Sequence, residues 1–83
     1  MATNISLLIT LLDVLANLGD HALPANSLAK ETEIRYGRPL VQSDVDDLLT
    51  FALGKGWVSF RVDVFGRHLW FITAAGKTAR EQL

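Results

Sequence analysis

The chain has 83 residues, of which 49% are hydrophobic, and a formal net charge of -1. It can therefore bury the core of one small domain, but bulk charge does not hold it on nucleic acid or anionic lipid. It has no cysteine, which excludes a disulfide framework, a cysteine zinc site and a thiol nucleophile. Its histidines, His21 and His68, are far apart and lack further ligands at metal spacing, so neither a metal nor another cofactor is expected.

Met-Ala-Thr-Asn carries no basic stretch, and Ser6, Thr10, Asp13 and Asn17 interrupt the apolar run from Ile5 to Leu18. Neither a signal peptide nor a membrane span is expected, and the default location is cytoplasmic. Thr3 or Asn4 can cap a first helix over this run, with Gly19 as its stop. On a helical wheel Ile5, Leu8, Ile9, Leu12 and Ala16 form one apolar stripe, read as the core face. Leu7, Leu11, Val14 and Leu18 form a second, roughly opposite. A helix apolar around most of its circumference must be covered on more than one side. The second stripe is thus either wrapped by the rest of the chain or offered to a second subunit or partner helix.

A turn over Gly19-Asp-His-Ala22 leads to a brief extended contact at Leu23 and to Pro24, which suits the first turn of a second helix ending near Ile34. Leu28, Ala29 and Ile34 are expected inward, Lys30, Glu31 and Glu33 outward, and Thr32 and Tyr36-Gly37 terminate it. The loop Arg35-Tyr-Gly-Arg-Pro-Leu-Val41 is the most basic short segment. It is either a solvated connection whose Leu40 and Val41 pack on the core, or a phosphate-contacting loop beside a helix N-terminus.

Ser43 is the expected N-cap of a third helix, with Asp44, Asp46 and Asp47 in its first turn and Gly54 and Gly56 at its end. Val45, Leu48, Leu49, Ala52 and Leu53 mark its buried face. After Gly56 the period changes to alternation, Trp57 to Val64 and Arg67 to Ile72, which predicts an antiparallel hairpin. With Phe65-Gly66 as a two-residue loop, Val62 faces Leu69 and Phe60 faces Phe71 inside, while Arg61, Asp63, His68 and Trp70 lie outside. In that arrangement Trp70 stands opposite Arg61 and is a candidate interaction anchor. Thr73 can cap a last helix from Ala74 to about Gln82, with Ala75, Ala79 and Leu83 packing and Lys77 and Arg80 exposed.

The order helix, helix, helix, hairpin, helix resembles the winged helix-turn-helix family over residues 1–83, read as a single domain. The resemblance is carried by Leu11-Leu-Asp-Val-Leu15, Leu23-Pro-Ala-Asn-Ser-Leu-Ala29, Val45-Asp-Asp-Leu-Leu49, Gly54-Lys-Gly-Trp-Val58 and Ile72-Thr-Ala-Ala-Gly76. The last two look like those of small bacterial regulators of the multiple-drug-resistance and phenolic-acid type. The resemblance implies an α+β, mainly helical fold with a β-hairpin wing and a C-terminal helix. It also implies a DNA-binding transcriptional regulator, plausibly dimeric, whose third helix enters the major groove. By this resemblance the nucleic-acid-binding residues are Arg35, Arg38, Gln42, Ser43 and Thr50, with Arg61, Arg67 and His68 in the wing. The partner or dimer surface would be Leu7, Leu11, Val14, Leu18 and Trp70.

The third helix departs from the family: it holds three aspartates and no Lys or Arg between Gln42 and Leu53, where phosphates would repel it. The competing reading is a protein-protein module with an acidic recognition helix that does not bind DNA. An enzyme is not expected, because no nucleophile-base pair, glycine-rich phosphate loop or metal-ligand cluster stands out.

Overall fold

The computed structural model describes residues 4–18 and 21–83. Thr3 as an alternative cap, Gly19 as a helix stop and Asp20 of the expected turn lie outside the described residues. The elements run α1 (Ile5–Asn17), β1 (Leu23–Pro24), α2 (Ala25–Tyr36), α3 (Gln42–Gly54), β2 (Val58–Val62), β3 (His68–Ile72) and α4 (Ala74–Gln82). The fold is α+β, mainly helical, with a three-stranded antiparallel sheet in the order β1-β3-β2.

α1 begins where Asn4 accepts a hydrogen bond from the Leu7 N–H at 3.1 Å, satisfying one of the free donors of its first turn. Its buried side chains are Leu7, Leu8, Leu11, Leu12, Val14 and Leu15. At 100° per residue these span one arc of about 160°, so the two expected stripes are the flanks of a single buried face. α2, α4 and β3 pack on it. Leu7, Leu11 and Val14 are at most 4% exposed, and Leu18 is half-buried against the same core. The surface expected to meet a partner is thus core of this chain, and it is Ile5, expected inside, that lies exposed at the edge.

α2 runs two residues further than expected. Thr32 does not end it: it is buried mid-helix, its hydroxyl donating to the Leu28 carbonyl at 2.7 Å, which spares a buried polar group the cost of going unpaired. Ile34, expected inward, is exposed, as are Val41 and, in part, Leu53. Asp13 on α1 ties three helices together, accepting from Arg80 Nε of α4 at 2.9 Å and from an Arg35 terminal nitrogen of α2 at 3.2 Å. Arg80, expected free on the surface, is half-buried by this contact.

α3 starts two residues earlier than expected. Its N-cap is Val41 and no side chain caps it, so Ser43 lies inside the first turn. The helix stops where the Gly56 N–H reaches the Leu53 carbonyl at 3.0 Å and the Trp57 N–H the Ala52 carbonyl at 2.9 Å, the double bond of a Schellman motif. Gly54 remains within the helix.

The hairpin register differs by one from the expected pairing. Val62 is opposite His68, Arg61 opposite Leu69, Phe60 opposite Trp70 and Val58 opposite Ile72. The cause is a three-residue loop, Val64-Phe65-Gly66, in place of the expected two. The Asp63 N–H bonds the Arg67 carbonyl at 2.9 Å and the Gly66 N–H the Asp63 carbonyl at 3.0 Å. Gly66 closes the turn at φ 79°, a left-handed conformation that side-chain-bearing residues rarely adopt. A shift of one residue exchanges the faces of a strand. Trp70 therefore lies beside Phe60, with ring centroids 5.1 Å apart, and packs on the core rather than facing solvent as a partner anchor. β1 pairs on the other side of β3, Leu23 opposite Trp70.

Thr73 joins α4 to this frame. Its hydroxyl donates to the Gly56 carbonyl at 2.6 Å and accepts from the Gly76 N–H at 3.0 Å. Of the side chains expected to pack α4, Ala79 is buried, whereas Ala75 and Leu83 are exposed. Gly76 is buried, and a Cβ there would lie 2.7 Å from Ile72 Cγ1 and 2.9 Å from the Trp57 carbonyl carbon, closer still to its oxygen. Gly76→Ala is expected to destabilise the protein by about 1–3 kcal/mol. Gly54→Ala, a helical site with nothing within 4 Å, is expected to stabilise it by about 0.5 kcal/mol. Urea unfolding of both variants checks the opposite signs, and equal effects would show that Gly76 does not mark a close approach.

Candidate nucleic-acid interface

α3 packs against α2 on one side and β2 on the other, burying Val45, Leu48, Leu49 and Ala52. The opposite face is open: Gln42, Ser43, Asp46, Asp47 and Thr50 are exposed. The beginnings of α2 and α3 meet, since Gln42 Nε2 donates to Asp46 Oδ1 at 3.1 Å and reaches the Ala25 carbonyl at 3.5 Å. Beside this junction is a shallow depression of about 500 Å³ whose walls include Asn26, Ser27, Lys30, Leu40 and Gln42. Two helix N-termini side by side present partial positive charge and donor groups to the same region.

Asn26, Ser27 and Lys30 were not among the expected site residues. The signal for them was the start of α2 after Pro24, which places Asn26 and Ser27 at a helix N-terminus next to that of α3, with Lys30 one turn further along. Thr50 turns its hydroxyl back to the Asp46 carbonyl at 2.9 Å, so its donor is used within the helix. Arg38 is exposed in the loop before α3, whereas Arg35 is engaged by Asp13 in the ion network of α1, α2 and α4 rather than joined to the α3 face.

On the wing, Arg61 and His68 are exposed, and the His68 ring stacks on Phe60 with centroids 4.2 Å apart. The tip is built around Asp63. Its Oδ1 accepts from the backbone N–H groups of Phe65 and Arg67 at 2.8 and 2.9 Å, and its Oδ2 from Arg67 Nε at 2.7 Å. These donors hold the carboxyl below the ordinary aspartate range. The Arg67 N–H contributes most, the Arg67 guanidinium and Phe65 N–H add to it, and partial burial opposes them. Although Arg67 is ion-paired, its side chain is still 61% exposed. The arrangement joins an uncovered helix, a junction of helix N-termini and a stiff hairpin edged with cations, but α3 itself exposes Asp44, Asp46 and Asp47. Among the described residues, no three His, Asp or Glu side chains gather closely enough to hold a metal ion, and no helix is long and apolar enough to cross a membrane.

Because the folded carboxyl of Asp63 is depressed, its contribution to the tip is complete above the unfolded value and is lost as pH falls through the folded one. In an NMR titration the Phe65 and Arg67 amides should shift together with a midpoint below 3.8, the ordinary aspartate value. Asp63→Asn should abolish that transition and speed exchange of the Arg67 amide. A midpoint at or above the ordinary value would contradict the arrangement.

No protein-family profile and no curated protein sequence matches the chain. Solved structures do. A winged-helix DNA-binding protein from STIV is 20% identical with a TM-score of 0.78, over 99% of this chain and 86% of that one. A transcriptional regulator of the MarR family from Silicibacter pomeroyi is 19% identical with a TM-score of 0.77, over 93% of this chain. MepR, a regulator of the Staphylococcus aureus multidrug efflux pump MepA, is 25% identical with a TM-score of 0.66, over 92% of this chain. The chain spans 47% and 51% of the lengths of the latter two. The architecture is that of a winged helix.

Proposed function

We propose that residues 1–83 form one cytoplasmic winged-helix module that binds duplex DNA as part of transcriptional regulation, a binding role rather than a catalytic one. The observation that carries this reading is the open face of α3, flanked by the N-terminus of α2 and by the wing. Helix-turn-helix docking needs that face free, and the chain leaves it free, burying only the Val45, Leu48, Leu49 and Ala52 side of α3. Lys30, Arg38, Arg61 and Arg67 meet phosphates. Asn26, Ser27, Gln42 and Ser43 supply neutral donors and acceptors near the groove, and Thr50 and His68 lie at its margins. The likeness to the STIV protein, named as DNA-binding, supports the same reading, whereas the protein-interaction alternative has no counterpart among the neighbours above.

The acidic face of α3 then acts as a selector. Asp46 and Asp47 weaken attraction to every duplex alike and favour a site that offers an amino donor, such as cytosine N4. Four phosphate contacts give a slope of log affinity against log salt of about -3.6, or a loss of about a hundredfold between 50 and 200 mM salt. Fluorescence polarisation with a pool of mixed-sequence duplexes measures this. Arg61→Ala should reduce the slope by about one, while Asp46→Asn with Asp47→Asn should tighten binding to the pool severalfold. No binding to any duplex at 50 mM salt would reject the proposal.

A further inference from the structure

The most exposed large apolar side chains of the described residues lie together at the wing tip, Val64 at 93% and Phe65 at 80% exposure. Neither supports the core. Their backbone is nonetheless held firmly, by the two N–H bonds to Asp63 Oδ1, the 3.0 Å turn bond of Gly66 and the Asp63–Arg67 ion pair. A tip needed only as a connection would be served by polar residues on a loose loop. Here an aromatic ring is fixed on a stiff hairpin with cations beside it. The Arg67 guanidinium is 5.5 Å from the Phe65 ring centroid, and Arg61 is exposed on β2. The carboxylate at the tip, that of Asp63, has both oxygens occupied by donors of the tip itself.

We propose that Phe65, backed by Val64, is a wedge for the minor groove. Resting on the DNA-binding reading above, the inference is that the wing enters the groove tip first. The Phe65 ring slides between two base pairs, partly unstacks them and bends the duplex, while Arg61 and Arg67 hold the flanking phosphates. An apolar ring gains there by leaving water, and the bend brings more backbone to the cations. Unstacking is easiest at pyrimidine-purine steps. The wing therefore prefers sites carrying TA or CA/TG under its tip, a selectivity that needs no hydrogen bond to a base. The combination of apolar point, rigid mount and flanking cations matches duplex DNA better than an apolar partner, which would not call for the cations.

The test uses the full chain and a duplex of about 30 base pairs, dye-labelled at its ends, with 2-aminopurine in central TA steps; a second duplex has GC steps there. Wild type should raise 2-aminopurine fluorescence and shorten the end-to-end distance on the first duplex more than on the second. Phe65→Ser, at a site the fold leaves in solvent, should keep the circular dichroism spectrum and the salt slope. It should lose both optical signals and bind about tenfold more weakly. Wild-type binding without unstacking, or a Phe65→Ser variant that unstacks and bends as wild type does, overturns the wedge and leaves DNA binding standing. Absence of any polarisation change with wild type overturns both. Light scattering that shows the free protein associating through Phe65 assigns the tip to a second copy and overturns the wedge.

Discussion

The structure depends on the enclosure of α1. Leu8, Leu11, Leu12 and Leu15 are at most 1% exposed, and each such side chain stabilises the fold by about 1.5–3 kcal/mol relative to lying in water. A short chain has little material with which to cover a helix buried over so wide an arc. α2, α4 and β3 are all committed to it. β3 is also the central strand, so the sheet is anchored to the same helix. Asp13, with Arg35 and Arg80, closes the polar edge of this arrangement, each of these half-exposed ion pairs contributing on the order of 0–1 kcal/mol. Packing therefore sets the geometry, and the ion pairs add little to it.

That enclosure decides what remains outside. α3 is held chiefly by α2 and β2, which cover one face and leave the other in water. β2 and β3 extend past the core to a tip where Val62, Val64 and Phe65 have nothing beneath them. The elements that build the core thus produce an open helix and a projecting hairpin as by-products of covering α1. A core-building function and a surface-presenting function are divided between the two ends of the same strands, with Val58 and Ile72 buried at one end and Val62 and His68 exposed at the other.

The order and kinds of elements were legible in the sequence because helical and alternating periods are imposed by burial on one side. The cap at Thr73 was legible from its local hydrogen-bonding capacity, and Asn4 was one of the two candidates for the first cap. Where the reading failed, a contact distant in sequence or an unrecognised side-chain bond decided the outcome. The hairpin slipped by one because Asp63 folds its carboxylate into the turn, and that moved Trp70 from solvent to core. Ser43 does not cap α3, since the helix gains Gln42 and Ser43 at its start, where Gln42 reaches both Ala25 and Asp46. Arg35 left the expected interface for Asp13, 22 residues away. The stripe of Leu7, Leu11 and Val14 could not be assigned from the helix alone, because the wheel shows which residues are apolar and not how much of the chain will wrap them.

Native-state hydrogen exchange followed residue by residue at two protein concentrations tests most directly whether this chain encloses α1 by itself. The account predicts that the Leu11 to Leu15 amides exchange only through global unfolding, with protection independent of concentration, while the amides of the wing tip exchange far faster. Protection of α1 that rises with concentration, or α1 amides that open with the wing, would mean that a second chain supplies the cover and would contradict the account.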